Sequence, residues 1–191
     1  MGKTYHHGDL KATILGHAAT LVAERGADGL SLRELARAAG VSHAAPAHHF
    51  TDRRGLFTAL AAEGFQLLTS ALAAARPDFV AAARAYVRFA LDHPGHYEVM
   101  WDRSLYDAGD PELVAAQAAA GAELDRGVAT LTDPRAKTQP AEAALAAWAL
   151  VHGFSSLWLN GAIARGEPAA DPLDTAERVA RMLFSDERTT G

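Results

Sequence analysis

Residues 31–50, SLRELARAAGVSHAAPAHHF, constrain the fold more than any other stretch, because they specify two short helices and the angle between them. Ser31 and Glu34 form an S-x-x-E capping box, whose hydroxyl and carboxylate satisfy amide groups that a helix start leaves unpaired, so a helix is expected to begin at Leu32. Leu32, Leu35, Ala36 and Ala39 then fall on one apolar stripe while Arg33, Glu34 and Arg37 face away. Gly40 follows at a point where positive φ carries no Cβ penalty, Val41 plugs the angle between the helices, and Ser42 is placed to cap the second one. Helices joined this tightly cross steeply. An ordinary helical hairpin carries the same signals, so the rest of the chain decides whether the pair reads DNA.

At 191 residues the chain is long enough for one large or two small domains with a real core. It has no uninterrupted apolar run of membrane-spanning length, and MGKTYHHGDLK lacks the apolar region of a secretory signal; a cytoplasmic location with no membrane partner is expected. Without Cys, disulfides and thiolate metal sites are excluded. The net charge of −5 hides an asymmetry. Up to residue 54, seven basic residues (Lys3, Lys11, Arg25, Arg33, Arg37, Arg53 and Arg54) face five acidic ones (Asp9, Glu24, Asp28, Glu34 and Asp52), a balance of +2 that leaves −7 for the remainder. Six of the nine His (6, 7, 17, 43, 48 and 49) share this segment, and those that protonate near phosphate add to its positive field. A basic head on an acidic body suits a DNA-facing domain carried by one that does not touch DNA.

Strand-type alternation is missing and Ala is abundant, so the fold is predicted to be all-α, with about nine helices. Asp9 is placed to cap a first helix running to about Arg25, with Leu10, Ile14, Ala18, Leu21 and Val22 as its inner stripe and Gly26 at its end. After Phe50, Thr51 or Asp52 caps a long helix whose Leu56, Phe57, Leu60, Phe65 and Leu68 pack inward. Pro77, His93-Pro94-Gly95, Gly109-Asp110-Pro111 and Asp133-Pro134 through Pro140 delimit roughly five more. The expected division is a head at 1–52 and a body at 53–191.

In the body, Phe89, Tyr97, Met100, Trp101, Leu105, Trp148, His152 and Trp158 come from three segments that a helical bundle brings together, as a ligand pocket or as solid packing. His152, polar on a mostly apolar helix, needs a hydrogen-bond partner: a ligand, a carbonyl or water. The helix from about Thr138 to Ala164 is apolar nearly all round, which implies a second packing partner. Gly153 and Ser155-Ser156 permit close approach, and LDTAERVARMLF supplies a companion stripe. A two-fold homodimer through these helices is predicted, with Leu150, Phe154, Leu157, Leu173, Val179 and Leu183 at the interface; the alternative is that both finish the monomer core. A metal-responsive site at His43, His48 and His49, with His6 and His7, is disfavoured because no i,i+4 pair or Glu-x-x-His pattern converges ligands. A hydrolytic site at His152 with Ser155 or Ser156 lacks a nucleophile elbow and an orienting carboxylate, so no catalytic residue, metal or cofactor is expected.

The head, LSLRELARAAGVSHAAPAHHFTDRRGLFTAL, resembles the TetR/AcrR family of one-component transcriptional regulators in its capped helix, Gly-Val-Ser turn, short recognition helix, Phe50 and basic opening of the fourth helix. HPGHYEVMW at 93–101 and WALVHGFSSLWLNG at 148–161 look like the subgroup whose C-terminal domain is named for its Trp, His and Gly, here Trp148, His152 and Gly153. The resemblance implies a three-helix helix-turn-helix domain followed by a helical-bundle ligand-binding and dimerisation domain. It further implies a homodimer on a palindromic double-stranded DNA operator, released by a small apolar or aromatic effector. Ser42, His43, Ala44, Ala47, His48 and His49 would form or flank the recognition helix in the major groove, Arg53 would hold a phosphate, and Lys3 and Arg33 complete the DNA-facing set. Two residues depart from the pattern. Ala47 stands where many relatives carry Tyr, which removes a phenol contact and leaves a methyl for thymine. Pro46 removes the first intrahelical hydrogen bond and biases Ala45 away from helical geometry, so the recognition helix is expected to start late or be distorted. Two such helices reach successive major grooves only when about 34–36 Å apart, so a ligand that moves the fourth helix and changes that spacing would weaken binding.

Overall fold

The structure, a computed structural model, describes residues 7–163 and 171–184. Its regular structure there is entirely helical: α1 (His7–Arg25), a short 3₁₀ turn (Ala27–Gly29), α2 (Leu32–Ala38), α3 (Ala44–Phe50), α4 (Arg53–Ala74), α5 (Phe79–Asp92), α6 (Pro94–Trp101), α7 (Pro111–Ala129), α8 (Pro134–Thr138), α9 (Pro140–Leu159) and α10 (Pro172–Leu183). The helix beyond the nine expected is α8, a single turn capped by Asp133, whose carboxylate accepts from the Arg135 amide at 2.8 Å. Four of the breaks read from the sequence are prolines at or beside a helix start: Pro94, Pro111, Pro134 and Pro140. There a missing N–H costs nothing and the fixed φ is already helical.

The chain forms two compact units: residues up to Phe65 together with His93–Gln117, and Gln66–Asp92 together with the chain from Ala118. In the first, Ile14, Leu15, Ala18 and Val22 of α1, Leu35 and Ala36 of α2, Phe50 of α3, and Leu56, Phe57 and Leu60 of α4 make the core. The long α4 has 22 residues and a mean hydropathy of 1.3 in its most apolar window, enough by length and composition alone to cross a bilayer. Burial of Leu56, Phe57 and Leu60 marks it as a core helix. In the second unit, Val87, Phe154, Leu173 and Ala176 join α5, α9 and α10, with Leu91 and Trp158 packed against them. A neighbouring cluster of Val128, Ala136, Ala143, Ala144 and Ala147 receives Phe79, Leu131 and Leu183.

Local differences from the expected boundaries have simple causes. The first helix begins at His7, so Asp9 lies inside it instead of flanking it; the side chain of Asp9 and the whole of Lys3 and His6 lie outside the described residues. The ninth helix is shorter than read: Pro140 opens it and Gly161, at φ 69°, turns the chain after Leu159, while Ala164 lies outside the described residues.

Candidate DNA-binding head and effector site

The Ser31 half of the capping box forms as read, its hydroxyl accepting the Glu34 amide at 3.2 Å, while the Glu34 carboxylate accepts the Ser31 hydroxyl at 3.2 Å where an amide was expected. At the other end of α2, Gly40 takes φ 66°, and the Val41 amide reaches back to the Ala36 carbonyl at 3.0 Å. That pairing satisfies an orphan carbonyl and sets the angle to α3. The second helix starts differently from expectation. Ser42 does not cap it with its side chain; His43 occupies the flanking position without a side-chain bond, and the Ser42 carbonyl accepts the Ala45 amide at 3.0 Å. Pro46 is the third residue of α3, buried beneath it, and Ala45 is helical. The helix thus starts at Ala44, one residue later than a Ser42 cap would set it, and Pro46 falls in its first turn, where the lost N–H is an orphan anyway.

His43, Ala44, Ala47 and His48 are exposed, Ser42 beside them also, and His49 is half-buried. Arg33 and Arg37 are exposed on α2. Thr51 ends α3 at φ 64°, an uncommon state for a β-branched residue, and the Asp52 amide bonds back to the Phe50 carbonyl at 2.7 Å. This tight reversal delivers the chain into α4, where the Asp52 carboxylate accepts the Gly55 amide at 2.7 Å.

Arg53, expected on a phosphate, donates to the backbone of the head. Its Nε donates to the Leu30 carbonyl at 3.1 Å and its Nη2 to the Ala27 carbonyl at 2.7 Å, with the guanidinium 4.8 Å from the Phe57 ring centroid. The 3₁₀ turn is held from the opposite side by Glu98 of α6, whose carboxylate accepts the Ala27 amide at 2.7 Å. Nothing in the sequence pointed to Glu98, since its partner is 71 positions away. Exposed Arg54 is the neighbouring cation that faces solvent.

The eight candidate effector residues fall into two groups. In the first unit, Tyr97 and Met100 are buried and Trp101 packs edge-on against Phe65 at 5.3 Å between ring centroids and against Tyr97 at 6.2 Å; Leu105 is half-buried. In the second, the His152 Nδ1 and the Tyr86 hydroxyl share a hydrogen bond of 3.1 Å, Trp148 leans on the His152 ring at 6.0 Å, Trp158 stacks on Phe154 at 5.8 Å, and Phe89 is buried. Burial pushes the His152 imidazole below its ordinary pKa, so the neutral ring is favoured. Tyr86 was missed by sequence reasoning, although a hydroxyl-tipped ring three residues before Phe89 was the available signal. Also missed was His96, buried in the first unit with its Nε2 2.9 Å from the Glu63 carboxylate.

Of the residues expected at a dimer interface, Phe154 and Leu173 belong to the internal core and Leu183 packs against another part of it. Leu150 and Val179 are half-buried, and Leu157 is 50% exposed. Leu145, Trp148 and Leu159 on α9 and Met182 on α10 are exposed as well. Among the described residues no group of three or more His, Cys, Asp or Glu is arranged to hold a metal ion.

Residues 14–60 match the family model described as bacterial regulatory proteins of the tetR family, and residues 79–183 match the tetracyclin repressor-like C-terminal domain. The Trp-His-Gly subgroup has no support beyond Trp148, His152 and Gly153 themselves. The chain is 34% identical to a protein of unknown function from Rhodococcus sp. RHA1, with a TM-score of 0.75 over 95% of this chain and 97% of that one. A tetR-family regulatory protein from Rhodococcus RHA1 shares 21% identity at TM-score 0.70 over 93% and 98%. The structure of AibR in complex with isovaleryl coenzyme A and operator DNA shares 17% identity at TM-score 0.67 over 92% and 98%. No protein in the curated collection of known sequences matches. Two matched domains in the expected order, the first containing the capped helix pair at 31–50, show that the chain belongs to the tetR family of bacterial transcriptional regulators, DNA-binding proteins and not enzymes.

Proposed function

We propose that the protein is a cytoplasmic, ligand-responsive repressor that binds a palindromic operator as a homodimer and is released by a small apolar or aromatic effector. The observation that carries the DNA half of this reading is the exposed row His43, Ala44, Ala47 and His48 on a helix whose entry angle is fixed by Gly40. A helix presented this way fits the major groove, where alanine methyls suit thymine and imidazoles reach base edges or phosphate. Arg33, Arg37 and Arg54 supply backbone contacts in place of Arg53. Lys3 belongs to the same proposed set.

The effector half rests on Tyr86, Phe89, Trp148, His152 and Trp158 of the second unit. A neutral His152 shared with Tyr86 offers a polar handle among aromatic rings, the usual composition of a small-molecule site. AibR, of the same fold, is known in complex with isovaleryl coenzyme A and operator DNA, which supports a ligand-linked switch here. The dimer is proposed through the face of α9 and α10 that keeps Leu145, Leu150, Leu157, Leu159, Val179 and Met182 at or near the surface. Such a face on a monomer is an association site by default.

Selection of bound sequences from random DNA tests the whole reading. A palindrome whose half-sites lie about one helical turn apart is expected. Recovery of unrelated sequences, with binding that salt abolishes uniformly, would reject the operator.

A further inference from the structure

The recognition helix has a composition with a chemical consequence. Its seven residues, AAPAHHF, contain neither Lys nor Arg. At 3.6 residues per turn, His43, Ala44, Ala47 and His48 share one face, and all four are exposed. Any positive charge that this face itself brings to DNA therefore resides on two imidazoles. The His49 ring lies 5.7 Å from that of His48, and the neighbouring elements carry Arg33, Glu34 and Arg37 on α2, Lys11 on α1, and Asp52, Arg53 and Arg54 at the start of α4. The nearby acids have local work: Glu34 serves the α2 cap and lies 3.8 Å from Arg25, and Asp52 holds the Gly55 amide. Arg53 is bound to internal carbonyls. His49 is a separate case. It is half-buried and lines a groove of about 370 Å³ with Lys11, Asp52, Arg54, Asp107 and Glu112, three carboxylates among them. On bound DNA, His43 and His48 would lie in the field of its phosphates, which favours imidazolium.

We propose that the head takes up protons at His43 and His48 when it binds its operator, so that pH tunes affinity at this surface. The proposal rests on the DNA-binding reading above. The sign follows from linkage: a group that holds its proton more tightly in the complex strengthens binding fully below its free value and loses that contribution as pH rises through the bound value.

The test uses the full-length protein and a labelled duplex recovered from random DNA by the wild type at about pH 6.5, with Kd measured by fluorescence anisotropy from about pH 5.5 to 8.5 at constant ionic strength. Affinity is expected to fall on the order of tenfold per pH unit, for each linked proton, across the histidine range. His43→Gln and His48→Gln should each flatten the profile, and His48→Lys should flatten it while keeping affinity at high pH. His17→Gln, on α1, should keep the wild-type slope. A flat wild-type profile, or one that the double variant H43Q/H48Q leaves unchanged, overturns the proposal. If no duplex is recovered in the selection at about pH 6.5, the operator-binding reading itself fails, and the present inference with it.

Discussion

Arg53 commits two donors to the carbonyls of Ala27 and Leu30 and lies over Phe57, so the head's own backbone claims a cation that the sequence pattern assigned to phosphate. Replacing it with Met keeps much of the stem and removes the donors. We expect Arg53→Met to lower stability by about 1–2 kcal/mol, a fall of roughly 2–8 °C in a thermal melt. Arg53→Lys should recover little, because one ammonium cannot reproduce a planar fork. An unchanged melting temperature would return Arg53 to the phosphate role. His152 gives a pH prediction. Its imidazole is held below the ordinary range by burial, so the unfolded chain takes up the proton more readily than the folded one. The stability due to this residue is present above the unfolded value of about 6.5 and is lost as pH falls from there through the lower folded value. Urea midpoints measured at about pH 7.5 and 5.5 should therefore differ more for the wild type than for His152→Gln. That His152 needed a partner was legible from a polar residue on an apolar helix; that the partner is Tyr86, 66 positions away, was not.

At the level of elements, legibility tracks how local the deciding interaction is. The start of α2 and its end at Gly40 were readable because the cap and the Val41 to Ala36 bond close within five residues. The start of α3 was misread because Ser42 looked like a cap and Pro46 like a breaker, whereas the helix begins late enough to place Pro46 in its first turn. Ser31→Ala should cost about 1 kcal/mol by removing the acceptor for the Glu34 amide, measured by chemical denaturation. The packing of α6 on α1 was invisible in sequence. A Cβ at Gly95 would fall 2.0 Å from the Ala19 carbonyl oxygen and 3.1 Å from the Ala23 amide nitrogen, both backbone atoms that cannot swing aside. Gly95→Ala should therefore push α6 off α1 and destabilise the head by about 1–3 kcal/mol. Because Glu98 on the same helix holds the Ala27 amide, operator affinity should fall with it. Full retention of both stability and affinity would show that α6 does not brace the head.

For the whole molecule, the apolar surface of α9 separates a finished core from an unfinished one. Leu145 is 60% and Leu157 50% exposed, so the described chain leaves them in water while Phe154 and Leu173 are already covered. Leu145→Glu combined with Leu157→Glu should yield a monomer in sedimentation at micromolar concentration, with little loss of monomer helicity, and should weaken operator binding by removing the second head. A dimer that survives both substitutions would place the interface elsewhere. The sequence by itself determined the all-helical class, the helix-turn-helix at 31–50, the inward set Leu56, Phe57, Leu60, Phe65 and Leu68, and the family. These follow from periodicity, caps and prolines, which act over a few residues. Only the tertiary structure decided that Arg53 and Glu98 grip the Ala27 turn, that Tyr86 meets His152, and which apolar side chains of α9 are covered. Those outcomes depend on which faces meet across 20 to 70 intervening positions, and a helical stripe announces that it will be buried without naming what buries it.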